Sequence, residues 1–155
     1  MNFQPSKIFD NANKTVEAYH AALQPLCKDT GIPPLALDIL LYLANNPERA
    51  TAKDACKIRG FKSGIVSVHI ERLVAGGLIE RSPAPEDRRR ILLKVTPAAT
   101  PIIEKGRIIQ KEFYARTLKG VGEDEIKALR ATMSKIERNV DEIIAGKRRE
   151  EEGNV

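Results

Sequence analysis

The sequence has few of the residues from which metal centres and disulfide frameworks are built. It holds two cysteines and two histidines, with no metal-ligand spacing among them, so we expect no zinc site, disulfide scaffold or other cofactor. It also has no glycine-rich phosphate loop. Ser67 and His69 lie two residues apart on a predicted helix and therefore point about 160° away from each other. We therefore expect no enzymatic activity.

Long apolar segments are also lacking. No apolar run reaches the roughly 18 residues that a transmembrane helix needs, and the N-terminal segment has neither the apolar region nor the cleavage site of a secretion signal. The absence of a nuclear-type basic cluster favours the cytoplasm of a prokaryotic cell. The composition, 42% apolar and 30% charged over 155 residues, is typical of one globular domain spanning 1–155.

Positive charge is concentrated in one part of the chain. Between Arg49 and Lys94 there are 11 Lys and Arg against 5 Asp and Glu, whereas the totals are 26 and 21, which leaves 15 against 16 elsewhere. A basic patch confined to one segment favours a polyanionic partner such as double-stranded DNA, since released counterions supply much of that affinity. The alternative is a solvated surface with slightly more lysine than acid.

Apolar stripes at both ends of the chain predict helices at about 6–27 and 97–146, the second range with a break. The spacing of three and four residues is that of one helix face. The stripe residues are Phe9, Ala12, Val16, Tyr19, Leu23 and Leu26, and then Ile126, Leu129, Met133, Ile136, Val140 and Ile143. The stripes could pack on each other within one chain. We favour pairing with a second copy, since dimers read two-fold DNA sites.

The middle of the chain, about 33–96, predicts a helix, a short helix, and a further helix followed by a hairpin. Thr51 is a suitable N-cap for a short helix that Gly60 ends, and Gly76-Gly77 stops the helix that begins at Ser63. Leu78-Ile79 and Ile91–Val95 are strand-like, with Pro83 and Pro85 in the turn between them. A further helix starts or kinks at Thr100. The expected fold is mainly α with a small β-wing, a winged helix-turn-helix flanked by dimerisation helices.

The helix that begins at Ser63 has two different faces. Val66, Ile70 and Leu73 follow core spacing, and the opposite face is small and partly apolar: Gly64, Val68, Glu71 and Ala75. Such a face suits a DNA groove, where Val68 could cover a thymine methyl group and Glu71 could accept from a cytosine amine. Alternatively, Val68 packs on a neighbouring subunit or loop, and Glu71 pairs with Arg72.

Three consecutive arginines, Arg88, Arg89 and Arg90, follow the hairpin turn. Neighbours in a strand alternate faces, so on a strand the three could not share one role. Guanidinium groups at a loop tip can enter the narrow minor groove of A·T-rich DNA. Asp87 is placed to hold one of them through a paired hydrogen bond. A solvated charge run is the alternative.

The stretch IERLVAGGLIERSPAPEDRRRILLKVT resembles the recognition helix and wing of the MarR (multiple antibiotic resistance regulator) family. The preceding IPPLALDILLYLANNPERATAKDACKIRGFKSGIVS is similar to the two helices before them. The resemblance covers Ile32 to Thr96 with motifs. It implies a homodimeric regulator of transcription, a repressor in our interpretation, on pseudo-palindromic operator DNA. Such regulators are often released by a small aromatic ligand or by oxidation. A winged helix that contacts another protein instead of DNA is the alternative.

The resemblance assigns roles to individual residues. Asp87, Arg88 and Arg89 match the wing motif, and Arg72 matches the arginine of the recognition helix. Val68 and Ile65 depart from the polar or basic residue and the threonine of many members, so base preference does not carry over. The candidate DNA-binding residues are Lys62, Ser63, Gly64, Ser67, Val68, Arg72, Arg88, Arg89 and Arg90.

Two further expectations concern regulation. Tyr19, His20 and Tyr42 could line a ligand pocket between the DNA-binding lobe and the dimerisation helices, although each could equally serve packing. Cys27, at the end of the first helix, is a candidate redox residue, since Lys28 could lower its pKa. Cys56 is expected to fill space in the core.

Overall fold

The computed structural model describes residues 5–59 and 62–152. Gly60, where we expected the short helix to end, lies outside these ranges, and the side chain of Phe9 is likewise not described. The chain divides into two compact units, with the boundary after Ala115.

The elements follow the order that the sequence predicts, with two additional 3₁₀ turns. The helices and strands are α1 (Pro5–Thr30), α2 (Pro34–Asn45), a 3₁₀ turn (Pro47–Arg49), α3 (Ala52–Arg59), α4 (Ser63–Ala75), β1 (Ile79–Pro83), β2 (Ile91–Val95), a second 3₁₀ turn (Pro97–Ala99), α5 (Thr100–Thr117) and α6 (Glu123–Glu152). The expected fold, mainly α with a small β-wing, is confirmed. The expected helix start at Thr100 is confirmed as well.

The core of the first unit is built around α2. Eight consecutive residues of this helix, from Ala36 to Leu43, are buried, and a helix that is apolar on nearly all sides must be covered on all sides. It is contacted by α1, α3, α4 and β2. The one charged residue in the run is Asp38, whose Oδ2 lies 3.7 Å from Nε2 of His20 on α1.

The wing is a two-stranded antiparallel sheet. Its register pairs Ile79 with Val95 and Pro83 with Ile91. The prediction that β1 covers only Leu78-Ile79, with Pro83 in the turn, was wrong, because β1 runs on to Pro83. A proline is tolerated there because the missing N–H falls on a strand that is an edge of the sheet. The N–H of Leu93 donates to the C=O of Ala50 at 2.7 Å, which ties β2 to the segment before α3.

Two helix ends form as the local sequence predicts. Gly77 has φ 68°, a left-handed conformation that favours glycine. The N–H of Leu78 donates to Leu73 O, and that of Gly77 to Val74 O, both at 2.9 Å, which is a Schellman motif. At the start of α3, the N–H of Asp54 donates to Oγ1 of Thr51 at 3.1 Å, so the predicted N-cap is confirmed.

The second unit consists mainly of α6, and its apolar stripe is exposed in the single chain. The exposed stripe residues are Leu129, Met133, Ile136, Val140 and Ile143. An aligned row of large apolar side chains in water is unfavourable, since burial of each would contribute about 1.5–3 kcal/mol. Within the described ranges, none of the helices combines the length and apolar character needed to cross a membrane.

Gly106 marks the closest approach of α5 to α2. A Cβ atom there would lie 2.5 Å from Cδ2 and 2.9 Å from Cδ1 of Leu41, a fully buried side chain. We expect Gly106→Ala to lower the free energy of unfolding by about 1–3 kcal/mol, since an overpacked core must shift its neighbours. Urea denaturation of the purified protein measures this.

The matched control is Gly64→Ala, because a Cβ at this glycine of α4 would meet no atom within 4 Å among the residues that the structure describes. Alanine favours a helix over glycine, so this variant should be at least as stable as the parent. Equal stability of the Gly106→Ala variant and the parent would contradict the close packing of α5 on α2.

Candidate nucleic-acid interface

α4 is held by one face and presents the other to solvent. Val66, Ile70 and Leu73 are buried in the core, as their spacing predicts. The candidate contact residues of this helix are all exposed: Lys62, Ser63, Gly64, Ser67, Val68 and Arg72. The turn between α3 and α4 includes residues outside the described ranges, but α3 and α4 contact each other directly.

The first turn of α4 is open to an approaching anion. Lys62 is the N-cap and provides no side-chain cap, while its C=O accepts from the N–H of Ile65 at 3.0 Å. The first N–H groups of a helix have no partner within it and carry its positive dipole end. Because a Cβ at Gly64 would meet no atom of the described residues within 4 Å, the backbone here can approach a phosphate closely.

The arginines lie in the turn of the wing, and all three are exposed. On a strand the three arginines would point to alternating faces. That argument does not apply to them, because β2 begins only at Ile91. Asp87 holds the backbone of this turn. Its Oδ1 accepts from the N–H of Arg89, and its C=O accepts from the N–H of Arg90, both at 2.9 Å.

Asp87 therefore acts differently from the expectation. The hydrogen bond that the structure records for its side chain joins a backbone N–H rather than a guanidinium group. A short acidic side chain that binds the backbone two residues on is an Asx turn. The N–H of Ala84 donates to the C=O of Arg90 at 2.8 Å and closes the base of the same loop. The guanidinium groups are thus presented by a fixed backbone.

An ion pair between α4 and the wing was missed by the sequence reasoning. Arg81 on β1 places both terminal guanidinium nitrogens on the carboxylate of Glu71, with Nη1 3.4 Å from Oε2. Both side chains are substantially exposed, so the pair contributes at most about 1 kcal/mol to stability. Its main effect is to neutralise an acid on the outward face of α4. The alternative pairing of Glu71 with Arg72 is not the one formed.

His69 does not add charge to this surface. Burial, and then the charge of the neighbouring Arg72, lower the pKa of His69 from its ordinary value. Since the group titrates below its usual range, the imidazole is neutral at neutral pH.

The aromatic cavity of the first unit lies between α1 and α5. It has a volume of about 260 Å³ and is lined by Thr15, Val16, Tyr19, Gln110, Phe113 and Tyr114. Nε2 of Gln110 donates to the hydroxyl of Tyr19 at 2.7 Å, and the rings of Tyr19 and Phe113 lie 5.4 Å apart between centroids. The lining is mainly apolar with a few polar groups, as in small-molecule sites.

Of the three predicted pocket residues, the structure places only Tyr19 at this cavity. Tyr42 is buried in the core, and His20 faces the carboxylate of Asp38. His20 and Tyr42 therefore do not line this cavity, and their place at a ligand site stays a prediction. Phe113 and Gln110 were missed, although Phe113 belongs to the apolar pattern of α5.

Cys27 does not have the environment that was expected for a redox residue. Burial raises the pKa of the Cys27 thiol, and a backbone hydrogen bond opposes this more weakly. The expected lowering by Lys28 was wrong, and a buried, protonated thiol reacts slowly. Cys56 is half-buried and packs against the core. No group of three or more His, Cys, Asp or Glu within the described ranges could hold a metal ion.

A helix pair joined to a basic two-stranded wing defines a winged helix-turn-helix protein. This chain is matched over residues 30–90, about two fifths of its length, by the model of the MarR family. Over 116 residues it is 27% identical to the HTH-type transcriptional regulator YdgJ of Bacillus subtilis, with 75% of this chain and 70% of YdgJ covered. It is also 27% identical to the multiple antibiotic resistance protein MarR of Escherichia coli, with 52% of this chain and 56% of MarR covered.

Solved structures share the fold. The transcriptional regulator PA3341 superposes with a TM-score of 0.76 at 22% identity, covering 87% of this chain and 98% of PA3341. MepR of S. aureus in complex with DNA gives 0.69 at 21% identity, covering 90% and 99%. CouR of Rhodococcus jostii RHA1 bound to p-coumaroyl-CoA gives 0.68 at 18% identity, covering 83% and 87%.

Proposed function

We propose that this protein is a sequence-specific DNA-binding regulator of transcription that acts as a homodimer on pseudo-palindromic operator DNA and represses by occupying the promoter. The observation that carries the proposal is the joint exposure of the outward face of α4 and the arginines of the wing. Both lie on the segment that holds the excess positive charge. Such a protein works where the chromosome is, in the cytoplasm, and needs no catalytic group.

Each part of the interface has a separate physical role in this proposal. The outward face of α4 enters the major groove, where its side chains reach base edges. Lys62 and the open first turn of α4 contact phosphates, which fix position without reading sequence. The wing arginines lie along the flanking minor groove, where a narrow A·T-rich groove attracts guanidinium groups.

The dimer is supported by the exposed stripe of α6. A second copy that covers the exposed stripe, from Leu129 to Ile143, would remove these side chains from water. A two-fold dimer then presents two copies of α4. They would enter successive major grooves about 34 Å apart, and a pseudo-palindromic operator matches this symmetry.

The wing arginines provide the test of this function. Arg88→Ala and Arg89→Ala should each weaken binding to operator DNA and lower the slope of log affinity against log salt by about one unit. Fluorescence anisotropy with labelled DNA at several salt concentrations measures both quantities. Lys119→Ala, which removes one positive charge from the loop after α5, is the matched control and should change neither quantity.

Unchanged affinity and unchanged slope in both arginine variants would reject the minor-groove role. If the DNA affinity of the parent is itself weak and indifferent to these substitutions, the alternative gains support. In that case the winged helix is a protein-interaction module.

We further propose that a small aromatic ligand releases the protein from DNA by occupying the cavity between α1 and α5. Its lining supports an aromatic ligand, since Tyr19 and Phe113 offer ring faces and Gln110 a polar group. The side-chain amide of Asn45 donates to Oε1 of Gln110 at 3.1 Å, which links the cavity to the end of α2. A ligand that binds one arrangement of the dimer better would shift its population.

Filling the cavity tests the ligand proposal. Val16 lines it and is itself partly exposed, so Val16→Phe should fold and bind DNA while it loses the response to ligand. Aromatic carboxylic acids and their thioesters are titrated against the preformed protein–DNA complex, with Val121→Phe as the control outside the cavity. Release that is equal in the parent and the Val16→Phe variant would place the ligand elsewhere. Insensitivity of the parent to every such compound would reject the proposal.

A further inference from the structure

The outward face of α4 offers little hydrogen bonding at its centre. Val68 lies nearly opposite the buried side of the helix by its period, and 66% of it is exposed. Ile65, one turn earlier, is 47% exposed. Both side chains are apolar, so neither can donate to or accept from a base edge. The chemistry at the centre of this face is therefore restricted to apolar contact.

The acidic residue beside them is already engaged. The carboxylate of Glu71 accepts from both terminal nitrogens of Arg81. An unpaired carboxylate would be suited to a cytosine amine, but here its oxygens are directed to the wing. The polar groups left on the outward side are at its margins, with Ser63 and Ser67 towards the start of the helix and Arg72 towards its end.

We infer that Val68 and Ile65 read thymine through its C5-methyl group and so determine the base preference of the operator. This inference rests on the proposed function. The thymine methyl is the one apolar group among the base-edge features of the major groove, and it is the group that an isopropyl or sec-butyl side chain can cover. A cytosine or purine at the same position would present polar atoms to a side chain that cannot satisfy them.

The spacing of the two residues fits neighbouring base steps. Side chains three residues apart on a helix have Cβ atoms about 5–6 Å from each other, while successive nucleotides of one strand are about 3.4 Å apart along the DNA axis. Val68 and Ile65 can therefore lie over adjacent or next-but-one thymines. Gly64, which leaves open space beside them, allows the helix to come close enough for such contact.

Deoxyuridine substitution isolates the methyl group. The full-length protein selects its site from a pool of random duplex DNA, and each thymine of the selected site is then replaced singly by deoxyuridine. This base lacks the C5-methyl and keeps every hydrogen-bonding group. We expect one or two positions in each half-site at which the replacement weakens binding about fourfold, the effect of one lost buried methyl.

The variants assign these positions to residues. The Val68→Ala variant should bind equally well to operators with thymine or deoxyuridine at the base that Val68 contacts. The Ile65→Ala variant should do the same at a neighbouring base. Both side chains are exposed, so neither variant should affect folding. Val121→Ala, at an exposed valine of the second unit, should keep the full fourfold penalty.

The possible failures are distinct. A selected site that is indifferent to deoxyuridine at every thymine would overturn the inference and leave the proposed function standing. The same conclusion follows if Val68→Ala and Ile65→Ala both retain the penalty. A pool in which no sequence is enriched would overturn the proposed function together with the inference.

Discussion

The burial of α2 on all sides is the constraint on which the first unit depends. A helix with eight consecutive buried residues can exist only inside a shell of other elements. α1, α3, α4 and β2 supply that shell, and α5 approaches so closely at Gly106 that a Cβ atom would collide with Leu41. Because α4 contributes Val66, Ile70 and Leu73 to this core, its rotation about its own axis is fixed, and with it the set of residues that reach outward.

The candidate nucleic-acid interface depends on this fixed rotation and on two polar contacts. Asp87 holds the backbone of the wing turn, and the pair of Arg81 with Glu71 joins the wing to α4 while it neutralises an acid on the outward face. Neither contact contributes much to folding stability, since the side chains of both are exposed. In the proposed function they orient the groups that contact DNA. The outward face can then use apolar contact at its centre and positive charge at its edges.

The sequence predicts features that depend on neighbours along the chain. The core positions of α4 follow from the helical period. The start of α3 at Thr51 follows from local hydrogen bonding, and the end of α4 follows from the positive φ that Gly77 can adopt. The contact of Glu71 with Arg81 is not predictable in this way, because the two residues are on different elements and meet only after β1 folds beside α4. The neighbours of His20 and Tyr42 in the fold are not predictable for a similar reason. Which face of a helix meets which neighbour depends on packing that a single periodic pattern does not specify.

The most direct test is competition binding of the full-length protein to labelled genomic fragments from its own organism, at near-physiological salt with scrambled DNA in excess. Mass photometry of the complexes then counts the bound chains. We expect a few fragments to retain the protein against the competitor, each with two chains on a pseudo-palindromic site. Equal displacement from every fragment by scrambled DNA, or one chain per site, would contradict the proposed function.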